Sequence, residues 1–391
     1  MGNRFNWMKI LHLMDHAPGG FIAWRVEKSA ISALRLGHEV FFAGPGTSIS
    51  DKKTFVKTYQ INWTPRARRG FPYDWHCVKK QVDRVLHEVR PEIVHANNIF
   101  SAKMISQFGV PFVYDDHEYW PSLVRSQVQT YNSSTKGKIK KLALGHNPKR
   151  IIRSLVRRFS NYNYLRLVLK WQKELVSSAP TIVTSDRVAS ELKATNNSEN
   201  VFIVPNFPSM LEVKDLEKPQ FHTELSSVFA GLGSIKPAHK NMEGLTDTFE
   251  NNDIGTLTII GANGEPSPKI NYSGFLPTRQ SMYREMFKHS IGLIPFKKHW
   301  IHSHVSLGKA YEYANAGLFV ACMSSYHTIV DDLKEGCITF DDYKDLILKL
   351  THFKENLEEL FNNRLKIFEY AHHHLIWEKY EKNIFNAYQL C

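Results

Sequence analysis

The 391-residue chain has few cysteines, no long apolar run and, over one long stretch, no acidic residue. Its four cysteines are scattered, with no CxxC pair and no metal-ligand spacing, which indicates a reduced, intracellular chain. No run approaches the ~18 apolar residues that a membrane-spanning helix needs. The first residues do not resemble a signal peptide, because His12, Asp15 and His16 interrupt a short apolar stretch. Together these absences predict a cytoplasmic protein.

The acid-free stretch runs from Tyr119 to Lys173 and is rich in Lys and Arg, within a chain whose net charge is +12. Such a block favours an anionic partner: phospholipid head groups, nucleic acid or an acidic substrate. We interpret 122–175 as a basic helical insertion. It forms either a solvated helix pair that covers the sheet or a surface for a membrane or an acceptor. Nucleic acid is disfavoured, because no zinc-finger, homeodomain or RRM signature accompanies the charge.

Short apolar runs that end in polar or glycine-containing loops alternate with helix-like stretches over most of the chain. Examples are "MKILHLMDH" from Met8 and "PEIVHANN" from Pro91 in the first half, and "GTLTIIGANG" from Gly255 in the second. This alternation is typical of doubly wound parallel sheets. In such sheets ligands bind beyond the carboxyl ends of the strands, and two domains that face each other form a central cleft.

The length of the chain predicts two domains rather than one core. A polar stretch without clear periodicity, 211–226, is the predicted linker. We therefore expect an α/β protein with two Rossmann-like domains. The first covers 1–210 and carries the basic insertion, the second covers 227–375, and the final residues 376–391 form a last helix.

One segment of the second half combines phosphate-binding features. "SHVSLGKAYEYANAG" places Gly308 and Lys309 at the start of a helix-like run, with Glu312 one turn further on. A Walker P-loop is excluded, because the glycine and the Ser or Thr of its two anchor positions are missing. The N–H groups and dipole of a helix start favour an anion such as a diphosphate, and Lys309 adds a charge. An ordinary solvent-facing helix start remains the alternative.

The series of strand-end motifs, closing with K-x-x-E-Y-x-x-A-G at Lys309–Gly317, resembles the group-1 (family 4) glycosyltransferases of the GT-B fold over nearly the whole chain. The resemblance implies that the second domain binds a nucleotide-diphosphate sugar and that the first binds a glycan or lipid-linked acceptor. It implies a retaining, metal-independent hexosyltransferase whose donor is a substrate, with no further cofactor and no metal ligands. It also implies that the last helix returns to the first domain. The basic segment 122–175 suggests a peripheral position on the inner face of a membrane.

The resemblance also assigns roles to single residues. Glu312 matches the acid that binds the nucleotide ribose, Lys309 lies near the diphosphate, and His117 matches an active-site histidine on the acceptor side; these three are the expected catalytic residues. A structural role for His117 is the alternative. The remaining residues expected to bind the donor are Gly19, Gly20, Gly231, Lys240, Gly261, His304, Ser306, Leu307 and Gly308.

Two positions depart from the family pattern. His304 stands eight residues before Glu312, where many relatives carry a glutamate near the donor sugar, and Leu232 stands where relatives carry an arginine. We expect Lys240 rather than Lys236 to supply the second basic group. Two further functions stay open: a non-hydrolysing nucleotide-sugar epimerase, which has the same fold and donor site, and a non-catalytic GT-B protein that binds a glycan or nucleotide, which these departures favour.

Overall fold

The computed structural model describes residues 7–16, 21–46, 53–126, 128–129, 148–231 and 238–391. The chain divides into two compact units. The first comprises Met1–Pro205 with Tyr380–Cys391, and the second comprises Asn206–Lys379. Each unit contains a parallel sheet covered by helices, so the predicted α/β architecture is confirmed.

Within the described residues, seven parallel strands form the sheet of the first unit, in the order β3-β2-β1-β4-β5-β6-β7. The five interior strands are buried almost throughout, because helices cover both faces of a parallel sheet, and most of their residues are therefore apolar. The strands are β1 Lys9–Met14, β2 Glu39–Gly44, β3 Lys57–Gln60, β4 Ile93–Asn97, β5 Phe112–Asp116, β6 Thr181–Val183 and β7 Val201–Ile203.

The α-helices of the first unit follow the strands in the order that a doubly wound sheet requires. Local signals set several of their ends: Ser185 accepts a hydrogen bond from the N–H of Val188 at one start, and Pro72 occupies a first-turn position at another. The helices are Phe21–Arg35, Pro65–Arg68, Pro72–Val89, Ile99–Ile105, Pro148–Ser178, Asp186–Asn196 and Glu381–Tyr388.

The basic segment 122–175 is described only in part, and its residues 127 and 130–147 lie outside the described residues. Its second half lies in the long helix Pro148–Ser178. The face of this helix that carries Val168, Trp171 and Leu175 is buried in the core of the first unit. Lys170 on another face is exposed. The described part therefore covers the sheet with one face and presents basic residues on the other.

In the described part of the second unit, six parallel strands form a sheet in the order β10-β9-β8-β11-β12-β13. Strands β9 and β10 lie on one side of β8, and strands β11, β12 and β13 lie on the other side. The strand order therefore reverses between β8 and β11. Ligands of open α/β sheets bind at such a switch point. The strands are β8 Ser226–Ala230, β9 Thr256–Ile260, β10 Ile270–Gly274, β11 Ile291–Ile294, β12 Phe319–Met323 and β13 Cys337–Phe340.

The helices of the second unit also have identifiable starts. Thr278 accepts a hydrogen bond from Ser281 N–H in a capping box, and Asp342 accepts from Lys344 and Asp345. The α-helices are Met210–Val213, Leu245–Glu250, Arg279–Met286, Gly308–Asn315, His327–Leu333, Tyr343–Glu355 and Leu357–His374. Shorter 3-10 turns are Ala238–Lys240, Trp300–His304, Lys334–Gly336 and Trp377–Lys379.

The chain passes between the units at positions that differ from the predicted linker 211–226. It enters the second unit at Asn206 and leaves it after Lys379. Inside the second unit, the N–H of Trp377 donates to the carbonyl of Pro208 at 2.8 Å. This bond holds the entering and leaving segments together, and no local composition signal marks such pairing.

Two edge strands, β3 and β13, lack the apolar pattern from which the other strands could be predicted. β3 reads Lys-Thr-Tyr-Gln and is largely exposed, and β13 reads Cys-Ile-Thr-Phe and is only half buried. Edge strands lack the two buried faces that make central parallel strands apolar throughout. Within the described ranges, no helix has the length and apolarity needed to cross a membrane.

Candidate functional site

The Gly308–Asn315 helix starts at the switch point of the second sheet. Leu307 precedes it in an extended conformation, and no side chain caps its first N–H groups. No acidic residue lies in its first turn. The uncapped N–H groups and the positive end of the helix dipole therefore remain for an anion. Ser306 and Gly308 are both buried beside this start.

Lys309 directs its ammonium toward the carboxyl end of β8. Its Nζ atom lies 4.5 Å from the ring centre of Phe229 and 5.3 Å from that of Phe296. A Cβ atom on Gly231 would lie 2.7 Å from this Nζ, so a larger residue there would displace the ammonium from its present position. Burial lowers the pKa of Lys309 to about 8, the charge of Glu312 opposes this, and Lys240 adds to it. Both charged groups are thus close enough to influence the ammonium.

Three glycines line the carboxyl ends of β8, β9 and β10. The N–H of Gly231 donates to the carbonyl of Ile260 at 2.8 Å, and that of Gly261 donates to Gly274 at 2.7 Å. Gly231 and Gly261 have φ angles of +142° and +96°, which side-chain-bearing residues rarely adopt. A Cβ on Gly261 would lie 3.4 Å from the backbone of Gly231. Because these glycines carry no side chains, the ends of the three strands leave space next to the Lys309 ammonium.

Glu312 is buried one turn into the Gly308–Asn315 helix, and its carboxylate pairs with an arginine that the sequence did not indicate. Arg279 Nη1 donates to Glu312 Oε1 at 2.7 Å, and Arg279 Nε donates to Glu212 Oε1, also at 2.7 Å. Within the described part of the chain, Glu312 Oε2 takes part in no hydrogen bond. One carboxylate oxygen is thus fixed and the other is available to a ligand.

The other residues expected at the donor site have diverse surroundings. Lys240 is exposed at the end of the 3-10 turn Ala238–Lys240, within electrostatic range of Lys309. His304 ends the turn before the Gly308–Asn315 helix, and its Nδ1 lies 2.9 Å from Ser303 Oγ. The hydroxyl of Ser306 is 2.9 Å from that of Tyr311, so it is engaged inside the unit. Leu232 and Lys236 lie outside the described residues.

In the first unit, His117 follows β5 and is buried. Neither ring nitrogen has a hydrogen-bond partner among the described residues. Burial lowers the pKa of His117 to about 4; Asp115 opposes the shift, whereas Arg25 and the nearby histidines reinforce it. At neutral pH the ring is therefore uncharged, with one donor and one acceptor nitrogen. Gly19 and Gly20, also expected at this end of the sheet, lie outside the described residues.

A buried polar network adjoins His117. Arg25 donates two hydrogen bonds to Asp115, at 2.9 Å each from Nε and Nη2, and His95 Nε2 lies 3.2 Å from the same carboxylate. The other ring nitrogen of His95 lies 2.8 Å from the hydroxyl of Tyr388, on the last helix. The arginine and histidine keep the pKa of Asp115 below its usual range despite burial. The network joins two strands and two helices in the first unit.

Similarity to solved structures extends over nearly the whole chain. A sucrose-phosphate synthase from Thermosynechococcus elongatus superposes with a TM-score of 0.69 at 13% identity, over 98% of each chain. HepE of Anabaena, in complex with UDP and glucose, gives 0.65 at 12% identity, over 98% of this chain and 99% of its own. A putative UDP-N-acetylglucosamine 2-epimerase from Listeria monocytogenes gives 0.54 at 9% identity, over 94% of each chain. No family model and no curated protein matches the sequence.

The chain has the GT-B fold. The predicted fold class is therefore confirmed, together with the likeness to GT-B glycosyltransferases at the level of structure. At identities of 13% and below, the likeness is one of fold, so it places Gly231, Lys309 and Glu312 on a GT-B framework without assigning them an activity.

Two further residues, one in contact with Glu312 and one at a neighbouring strand end, were not predicted from the sequence. Arg279 had no visible partner, because Glu212 and Glu312 are 67 and 33 residues away along the chain. Phe275 follows Gly274 at the end of β10 and is 83% exposed. A phenylalanine directly after a strand-end glycine was the only available signal, and large exposed aromatic side chains often mark binding surfaces.

Proposed function

We propose that the protein is a glycosyltransferase that moves a sugar from a nucleotide-diphosphate sugar to a glycan or lipid-linked acceptor. An uncapped helix start, the Lys309 ammonium and Gly231 lie together at the switch point of the second sheet. This observation carries the proposal. Glu312 presents an unengaged carboxylate oxygen on the same helix. This arrangement suits an anion followed by a diol, as in a nucleoside diphosphate.

The site can be divided by chemistry. The diphosphate is assigned to the helix start at Leu307 and Gly308, with Lys309 and Lys240 as cations and with backbone room at Gly231 and Gly261. The ribose hydroxyls are assigned to Glu312. The base is assigned to the region of Phe275, whose exposed ring can stack on it. His304 is assigned to the donor sugar, as the resemblance implies.

The chemical step breaks the bond between the anomeric carbon and the diphosphate oxygen and forms a bond to an acceptor hydroxyl oxygen. Negative charge builds on the leaving diphosphate, and Lys309, Lys240 and the helix dipole stabilise it. In the retaining, metal-independent course that we propose, the acceptor proton passes to the departing phosphate oxygen. His117, neutral at pH 7, is assigned to hydrogen bonding with the acceptor. Gly19 and Gly20 are assigned to the donor phosphates, as the resemblance implies.

The acceptor side includes a membrane proposal. The acid-free segment 119–173 has an exposed basic face on its described helix, including Lys170. We assign this segment to an anionic membrane surface on the cytoplasmic side. Flotation with vesicles is the test: we expect binding to vesicles that contain anionic lipid and none to purely zwitterionic vesicles. Equal behaviour with both would remove this part of the proposal.

The decisive experiment measures release of nucleoside diphosphate from a panel of UDP-, GDP- and ADP-sugars. We expect turnover or slow hydrolysis with one donor, and a large loss in the Lys309→Met and Glu312→Gln variants. Lys288→Met is the matched control, because Lys288 is exposed and, among the described residues, its ion pair is with the helix neighbour Glu285 at 2.7 Å. A folded protein that neither binds nor turns over any donor would contradict the proposal.

A nucleotide-sugar epimerase is the second candidate, because the Listeria structure named as a putative epimerase has the same fold. Product analysis without acceptor separates the two, since an epimerase converts the donor sugar and releases no stoichiometric diphosphate. A non-catalytic binder is the third. It would bind glycan equally well as wild type and as the Lys309→Met variant, with no transfer by either.

A further inference from the structure

Arg279 links two carboxylates from separate elements of the second unit. It begins the Arg279–Met286 helix, and its side chain is only 16% exposed. One arm of the guanidinium bonds Glu312 and the other bonds Glu212, each at 2.7 Å. The ring of Tyr283 lies 5.4 Å from the guanidinium carbon. The side chain is therefore held from three sides and cannot turn without breaking a charged contact.

The second anchor is itself fixed. Glu212 Oε2 accepts from the backbone N–H of Ser209 at 2.7 Å, in the capping box of the Met210–Val213 helix. Its Oε1 accepts from Arg279. Glu212 thus uses both oxygens, and the position of the guanidinium is set before any ligand arrives.

The geometry of the Gly308–Asn315 helix makes this restraint important. Lys309 and Glu312 are three residues apart, a spacing at which opposite charges on a helix normally pair. Among the described residues they form no ion pair, although each influences the other electrostatically. Glu312 bonds Arg279 instead, and the Lys309 ammonium lies over Phe229 and Phe296. If the two groups paired, neither would be available to a ligand.

We propose that Arg279 is a positioning residue that holds Glu312 away from Lys309, so that the carboxylate can bind ribose hydroxyls while the ammonium binds the diphosphate. This inference rests on the proposed function. Arginine suits the task better than lysine, because its rigid planar guanidinium directs donors at two carboxylates in fixed positions, whereas an ammonium is a point charge on a flexible stem. Arg279 itself touches neither the reacting atoms nor the sugar in this scheme.

The first test compares UDP with 2′,3′-dideoxy-UDP by calorimetry. For the wild type we expect UDP to bind more tightly, because it offers Glu312 a diol. In Arg279→Gln this preference should fall by about tenfold or more, which is the scale of a lost charged hydrogen bond. Arg279→Lys should lose most of it as well. Arg284→Gln is the control, because Arg284 is exposed on the same helix and the substitution changes the charge equally; it should keep the preference.

The second test is the pH dependence of UDP binding. If Arg279 had only a structural role, its replacement would not shift this dependence. The charged groups that face Lys309 are Glu312 and Lys240. In the wild type we expect binding to weaken as pH rises through about 8. In Arg279→Gln the released Glu312 pairs with Lys309, so the midpoint should move upward by about one pH unit. Adding Glu312→Gln to Arg279→Gln should abolish that movement.

The outcomes separate the two proposals. A wild type that binds none of UDP, GDP and ADP overturns the proposed function. A wild type that prefers UDP over the dideoxy analogue, with an Arg279→Gln variant that keeps both the preference and the midpoint, overturns the positioning role alone. Should Arg279→Gln prove unfolded by thermal scan, Glu212→Gln replaces it. This variant removes only the second anchor, and we expect a smaller loss of the preference and a smaller movement of the midpoint; no change in either contradicts the positioning role.

Discussion

Replacing Lys309 with methionine should weaken nucleotide binding and stabilise the empty protein at the same time. A charged hydrogen bond contributes about 1.5–3 kcal/mol, so the loss of the ammonium should weaken UDP binding by about 10- to 150-fold. The wild type should also show a pH effect. With a pKa of about 8, the ammonium is protonated in about 90% of molecules at pH 7 and in about 10% at pH 9, so binding should weaken about tenfold between them.

The expected change in the free energy of unfolding follows from the same lowered pKa of Lys309, and burial of the ammonium sets its sign. The pKa of Lys309 falls from 10.5 to about 8 on folding, so the folded state disfavours the charged form. Between those two pH values the unfolded chain binds more protons, and stability rises with pH. At pH 7 the cost of the buried charge is fully present, so Lys309→Met should raise the free energy of unfolding by roughly 1–3 kcal/mol. Above about pH 10.5 the Lys309→Met substitution should raise the free energy of unfolding only slightly.

Calorimetry with UDP and thermal unfolding at pH 7 and pH 9 measure both effects in one preparation. Lys288→Met, which removes an exposed lysine, should change neither. A Lys309→Met variant that is less stable than the wild type at pH 7, or one that binds UDP normally, would refute the placement of a desolvated ammonium at an anion site.

Three further perturbations test other parts of the site. Gly231→Ala should displace the Lys309 ammonium and lower both stability, by about 1 kcal/mol or more, and UDP affinity; unchanged affinity in calorimetry would show that Gly231 is not beside the ligand. Phe275→Ala should weaken UDP by about 1–3 kcal/mol while leaving inorganic diphosphate binding unchanged; equal losses for both would contradict base stacking. Burial raises the pKa of Asp116 to about 7, so its stability cost grows as pH rises from about 4 to 7, and Asp116→Asn should stabilise more at pH 8 than at pH 5 in urea unfolding. The same difference at both pH values would contradict that environment.

Several predicted strands were found close to their expected places because their patterns are local. β4 and β9 lie within the quoted runs that begin at Pro91 and Gly255, and such short, mainly apolar and buried runs are visible in any window of the sequence. β3 and β13 were missed because an edge strand has little apolar pattern of its own and owes its conformation to a neighbour. The passage between units at Asn206 was missed for a related reason: it depends on pairing with a segment about 170 residues away.

The candidate site divides in the same way. Gly308, Lys309 and Glu312 share one helix start, so their common location could be read from adjacent letters and the roles of helix N-termini. Gly231 was expected to bind the donor because of the resemblance, whereas its contact with the Lys309 ammonium required the structure. Arg279 had no sequence signal at all, because an ion pair between distant elements leaves no periodicity.

The sequence by itself determined the alternation of buried strands and helices, and the helix start that can accept an anion. Both depend on interactions within a few residues: apolar periodicity, glycine conformations and uncapped N–H groups. Tertiary structure alone decided which charges meet. The separation of Glu312 from Lys309 by Arg279, the loss of hydration around the Lys309 ammonium and the burial of His117 arise from side chains far apart along the chain. Burial and the charges of those distant neighbours shift the pKa values of Lys309 and His117, so tertiary structure sets how readily each of them carries a charge.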